Sequence, residues 1–118
     1  YEKAIVCYDT ILKLDENEKY ALNNKGITLY ELEKYEEAIV CYDKVLKNYP
    51  DNFEALFNKS IALGEFNKFE EAIVCYDRAL EIDEHHLPTW DYKGLALKNL
   101  GKYEEAIVCY DKVLNQLH

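Results

Sequence analysis

The hexamer AIVCYD fills residues 4–9 and returns at 38–43, 72–77 and 106–111. Each copy begins 34 residues after the last, and the text around it recurs as YEKAIVCYDTIL, YEEAIVCYDKVL, FEEAIVCYDRAL and again YEEAIVCYDKVL. A strict period of this length marks a repeat architecture, in which each unit buries its apolar face only by stacking on its neighbours.

From Ala38 the apolar residues continue at Ile39, Cys41, Tyr42, Val45 and Leu46, a helical rather than an alternating rhythm. Upstream, YALNNKGITLYEL at 20–32 sets Leu22, Gly26, Leu29 and Leu32 on one stripe, with counterparts Leu56, Ser60, Leu63, Phe66 and Trp90, Gly94, Leu97, Leu100. Each unit therefore pairs a first helix, A, with a second, B. The predicted order is B, A-B, A-B, A-B: a half repeat at 1–18 and repeats at 19–52, 53–86 and 87–118, the last truncated at its C-terminal end without a capping helix. Small Gly26, Ser60 and Gly94 on A, and Ala4, Ala38, Ala72 and Ala106 on B, let paired helices approach closely.

Two-residue links close the units: Glu33-Lys34, Asn67-Lys68 and Gly101-Lys102. Gly and Asn accept the left-handed conformation that ends helices, whereas Glu33 does so at a cost of about 1 kcal/mol. The first hairpin is expected to be the least ideal. Between units, LDENEK, NYPDNF and IDEHHLP carry Pro50 and Pro88 as punctuation and Asp or Asn to cap the next helix. Lys25, Lys59 and Lys93 sit beside the stripe of each A helix, placed either to reach an acidic residue such as Asp43, Asp77 or Asp111 or to hold the ammonium in water.

A hydrophobic fraction of 49% and a charged fraction of 31% suit a folded, soluble chain, and four Gly with two Pro leave little turn chemistry for an all-β fold. No apolar run approaches the ~20 residues that span a bilayer. The net charge of −9, with no Lys/Arg cluster, argues against nucleic acid and anionic membrane surfaces. A basic partner is favoured electrostatically, although acidity also serves solubility.

Cys7, Cys41, Cys75 and Cys109 occur once per unit. Stacked helices lie about 8–10 Å apart and a disulfide needs Cα atoms within roughly 7 Å, so internal bridges are not expected. No Cys-x-x-Cys or His-x-x-x-His pair suggests zinc, and reduced thiols fit a cytoplasmic location. The chain starts at Tyr1, inside a unit, as expected of a piece of something longer.

Thirty-four residues, two helices and the series Trp90, Gly94, Leu97, Ala106, Tyr110, Val113 resemble the tetratricopeptide repeat. The other copies supply Leu56, Ser60, Leu63, Ala72, Tyr76, Ala79, Glu84 and Leu22, Gly26, Leu29, Ala38, Tyr42, Val45, Pro50. The resemblance spans the chain, with one departure: Lys precedes the small residue where the pattern has Leu. It implies an all-α fold, a right-handed α-solenoid of antiparallel helix pairs. It further implies a non-enzymatic protein-interaction scaffold without cofactors, whose concave groove, lined by A helices, holds a peptide or partner segment.

Carried onto this sequence, the groove residues are Tyr20, Asn23, Ile27, Tyr30 and Glu31, then Glu54, Phe57, Ile61, Gly64 and Glu65, then Pro88, Asp91, Leu95, Lys98 and Asn99. Family members that grip chaperone C-terminal carboxylates use Lys and Asn on the first groove helix, Asn on the second, and Lys and Arg on the third, at positions held here by Asn23, Ile27, Asn58, Pro88 and Tyr92. Only Asn58 agrees. Without those cations a carboxylate loses its charge-assisted bonds, so a chaperone tail is rejected as partner. Aromatic and aliphatic residues beside Glu31, Glu54, Glu65 and Asp91 suit an apolar or basic-amphipathic segment.

Val6, Val40, Val74 and Val108 stand where the family commonly carries a polar residue on the convex side. With the adjacent thiols they form an apolar stripe, read either as a dimer contact or as side chains half-covered by neighbouring helices. Ala4, Ile5 and Tyr8 at one end and Ile107, Tyr110 and Leu114 at the other are expected to be uncovered, favouring self-association or contact with a larger protein. His85-His86, with Asp83 and Glu84, reads as a solvated turn rather than a metal site, His118 as a terminal residue without a role, and the repeated Glu pairs as first-turn charges favoured by the helix dipole. Catalytic motifs do not appear. Two further readings stay open: a structural or self-assembling array, natural or engineered, without a specific ligand, and a regulatory module of a longer protein.

Overall fold

The computed structural model describes residues 1–14 and 18–117; Asp15, Glu16, Asn17 and His118 lie outside them. Among the described residues seven helices form: α1 (Glu2–Leu14), α2 (Lys19–Glu31), α3 (Tyr35–Asn48), α4 (Phe53–Glu65), α5 (Phe69–Ile82), α6 (Leu87–Asn99) and α7 (Tyr103–Leu117). No strand occurs among the described residues. Each helix packs on its neighbours in the sequence, α2 also meets α4 and α4 meets α6, and the stack extends over 47 × 24 × 24 Å. This is a helical solenoid.

Within a pair the helices meet where the sequence is smallest. Ala38 and Ala72 are fully buried, and a Cβ added to Gly26 would lie 2.5 Å from Tyr42 Cε1. The tyrosine ring thus occupies the space that glycine leaves. Leu22, Leu29, Ala38, Tyr42 and Val45 form the first buried cluster, and Leu63, Ala72, Cys75, Tyr76 and Ala96 the second.

The short links end α2, α4 and α6 in the same way. Glu33, Asn67 and Gly101 have φ of 63°, 61° and 79°. The following lysine's N–H reaches back to the carbonyl of Leu29, Leu63 or Leu97 at 2.8, 2.8 and 2.9 Å. These six-to-one bonds satisfy carbonyls that a helix end otherwise orphans. The left-handed Glu33 is as expected. Of the caps, Asn52 Oδ1 accepts from Ala55 N at 2.9 Å, whereas Glu18 caps α2 and His86 occupies the cap of α6.

The lysine partners differ from the expected register. Lys25 pairs with Asp9, Lys59 with Asp43 at 2.6 Å and Lys93 with Asp77 at 2.6 Å. Each A helix therefore reaches back to the B helix of the preceding unit, not forward to its own, and among the described residues no lysine pairs with Asp111. The Asp9 bond raises the Lys25 ammonium above its ordinary range, against a smaller lowering by burial.

The four cysteines are free thiols. Cys41, Cys75 and Cys109 are buried and only Cys7 is exposed, so the thiols do not extend the convex stripe. The valines do: Val6, Val40, Val74 and Val108 are 52–65% exposed. At the ends, Ile107 and Leu114 are open and Tyr110 half-buried, while Ala4, Ile5 and Tyr8 are all half-buried, Ile5 against the first cluster.

Candidate functional site

The inner face is made by α2, α4 and α6, and two cavities open on it. The first, about 230 Å³, lies between Ile27, Tyr30 and Glu31 of α2, Asn58 and Ile61 of α4, and Tyr92 of α6, with Tyr42 at its back. The second, about 280 Å³, takes Ile61, Gly64 and Glu65 from α4, Tyr92, Leu95 and Asn99 from α6, and Phe69 and Tyr76 from α5. Ile61 and Tyr92 belong to both.

Tyr92 is held from two sides. Its ring lies parallel to that of Tyr76 at 6.3 Å between centroids, and Phe57 meets it edge-on at 5.9 Å. Phe57 in turn stacks on Phe53, and the His86 imidazole fills the notch beside both at 5.0 and 4.8 Å. His86 Nδ1 bonds Thr89 Oγ1 at 2.7 Å. The His85-His86 pair is therefore divided: His85 is exposed, while half-buried His86 braces the aromatic wall.

Of the sequence-predicted groove residues, Ile27, Tyr30, Glu31, Ile61, Gly64, Glu65, Leu95 and Asn99 line the cavities. Phe57 supports them from behind. Tyr20 stands 66% exposed with the Lys19 ammonium 5.3 Å from its ring, and Glu54, Asp91 and Lys98 are exposed outside both cavities. Asn23 is 2% exposed, its Nδ2 donating to Asn52 Oδ1 at 3.3 Å, so the first turn of α4 covers it. In the sequence Tyr92 stands only as a failed match to a carboxylate-binding cation. Its counterparts Asn24 and Asn58 are polar, and nothing in the repeat pattern marks the third copy as aromatic.

The two cavities share one electrostatic character. Glu31 and Glu65 carry negative charge to their edges, and Glu31 accepts a 2.8 Å bond from the Tyr1 hydroxyl. Burial, then the charge of Glu65, raises the Tyr30 phenol above its ordinary value, and burial pushes Tyr42 and Tyr76 far up. All three therefore remain neutral hydroxyls at physiological pH. Among the described residues no group of three His, Cys, Asp or Glu side chains is placed to hold a metal ion. Among the described residues no helix is long and apolar enough to cross a membrane.

Tetratricopeptide repeat profiles match residues 20–52, 41–74 and 88–117. The chain belongs to the tetratricopeptide repeat family. No curated protein sequence matches it. Among solved structures it is similar to MamA of Desulfovibrio magneticus RS-1, with a TM-score of 0.92 at 22% identity over 98% of this chain and 65% of that one. A MamA crystal structure gives 0.90 at 23% identity over 94% and 65%, and MamA AMB-1 gives 0.87 at 23% over 100% and 69%. The chain thus spans about two thirds of the length of these proteins, and at such identity the likeness establishes the shared fold. That fold is the architecture of a protein-interaction scaffold.

Proposed function

We propose that this tetratricopeptide array captures a segment of a protein partner on its inner face, seating two apolar side chains in the cavities on either side of Tyr92. The observation that carries this reading is the pairing of those cavities: aromatic and aliphatic at the floor, with Glu31 and Glu65 at the edges. An apolar side chain would gain about 25 cal/mol per Å² of surface removed from water, and a Lys or Arg beside it would meet a carboxylate. The partner is accordingly an apolar or basic-amphipathic protein segment rather than a carboxylate tail or nucleic acid. Capture proceeds by shape and charge, with no covalent step, cofactor or metal. The three buried thiols fit a reducing, cytoplasmic setting.

Selection from a random peptide library tests this. Enriched peptides are expected to combine two large apolar residues with Lys or Arg and to lose at least about tenfold in affinity against Tyr92→Ala. Acidic consensus peptides, or binding indifferent to Tyr92→Ala and Ile61→Ser, would place recognition elsewhere.

A further inference from the structure

The outer face is built the same way in three successive units. Val40, Val74 and Val108, 52%, 60% and 57% exposed, crest α3, α5 and α7. Four residues before each stands an exposed Glu (Glu36, Glu70, Glu104), and four after it an exposed cation (Lys44, Arg78, Lys112). Residues four apart share a helix face. Across the stack these positions make three adjoining rows, acidic, apolar and basic, and α1 continues the first two with Glu2 and Val6.

We propose that this face pairs with the same face of a second copy, on the side opposite the peptide cavities and independently of them. A two-fold axis parallel to the array sets opposing B helices antiparallel. Valine then meets valine, and each acidic row lies against the other copy's basic row. A two-fold along the helices would oppose acid to acid. The charge order thus admits one self-complementary arrangement, which is what an isologous contact requires.

In that arrangement, helices crossing at Val40 bring Glu36 opposite Lys44 of the second copy, and the reverse. Residues three away, Glu37 and Asp43, are both acidic, but Lys59 already holds Asp43 at 2.6 Å and Lys93 holds Asp77 likewise. Arg78 donates Nη2 to the Pro50 carbonyl at 2.9 Å, which fixes its guanidinium and leaves further donors. The second copy also supplies the period. Only a surface with the same helix spacing meets successive valines in register, and this array carries one. Convex faces diverge from their line of contact, so α3 and α5 carry the pairing. The buried area falls below the roughly 1,200 Å² of stable complexes, and the dimer is weak and salt-sensitive.

Sedimentation velocity on the whole chain from about 10 μM to about 1 mM tests it. Association is expected to rise with concentration and to fall at least about tenfold with Val40→Glu plus Val74→Glu, both at exposed positions where helicity is retained. Charge reversal is the decisive arm. Lys44→Glu with Arg78→Glu, and separately Glu36→Lys with Glu70→Lys, should each leave the chain monomeric, while an equimolar mixture of the two variants associates. The pairing is overturned by a monomer at every concentration, by valine-dependent association indifferent to the charge reversals, or by association that neither set changes, which would assign it to the open end at Ile107 and Leu114.

Discussion

Gly26 and Gly94 occupy the same place in two repeats, yet adding one methyl group to each should act in opposite directions. A Cβ on Gly26 would fall 2.5, 2.8 and 3.0 Å from Cε1, Cζ and Cδ1 of Tyr42, so the ring must retreat by about 1 Å to reach ordinary contact. Tyr42 is 1% exposed among Leu29, Val45 and Ala55, and overpacking such a site costs about 1–3 kcal/mol. Replacing a helical glycine by alanine returns about 1 kcal/mol of backbone propensity. Gly26→Ala should therefore lose about 1 kcal/mol net. A Cβ on Gly94 meets Tyr110 at nearly the same 2.6 Å, but Tyr110 is half-buried beside open Ile107 and Leu114 and can swing aside. There the propensity gain survives, and Gly94→Ala should be neutral or stabilising by up to about 1 kcal/mol. Urea titration of each variant, followed by helical circular dichroism, reads the difference as opposite displacements of the midpoint. Equal destabilisation by both substitutions would refute the argument, because ring mobility would then not decide the cost.

Glu33→Gly should stabilise the chain by about 1 kcal/mol, because φ of 63° suits glycine; a lowered melting temperature would contradict this. Of the four thiols, Cys7 should react with a thiol reagent fast and the other three only on unfolding, so two or more fast thiols would count against the observed burial. Burial raises Cys41, Cys75 and Cys109 above the usual 9.0, and the Asp9 bond raises Lys25 above 10.5. Over these ranges the folded chain keeps protons that the unfolded chain has lost, so stability should fall as pH climbs from about 9, and a urea midpoint rising there would reverse the sign.

The helices and their closures were legible because they are local. Stripes such as Leu22, Gly26, Leu29 need only a 3.6-residue rhythm, and the link positions Glu33, Asn67 and Gly101 need only a helix end. The lysine partners were not, for a geometric reason. Lys25 lies 16 residues after Asp9 and 18 before Asp43, so the sequence offers both almost symmetrically and only the tilt of the stack chooses. His86 is not legible because its aromatic partners, Phe53 and Phe57, lie 33 and 29 residues earlier, at the far end of the same unit. The helical rhythm sets Asn23 on the inner side of its helix, but the N-terminal end of α4 covers that position; its third counterpart, Asp91, is exposed. Tyr92 illustrates the converse. Repeat averaging describes what the copies share, and a site is made where one copy departs.

The lysine–aspartate bonds bear on how such an array can change length. Each spans a junction between units, so removing residues 35–68, one full period, would delete one donor, Lys59, and one acceptor, Asp43, that belong to each other. Lys25 would keep Asp9 and Lys93 would keep Asp77, with no charge stranded in between. Duplication of the same stretch would likewise add a complete bond. For these ion pairs the junctions are interchangeable, and a lineage can lengthen or shorten the array by whole units without stranding a lysine or an aspartate of this set.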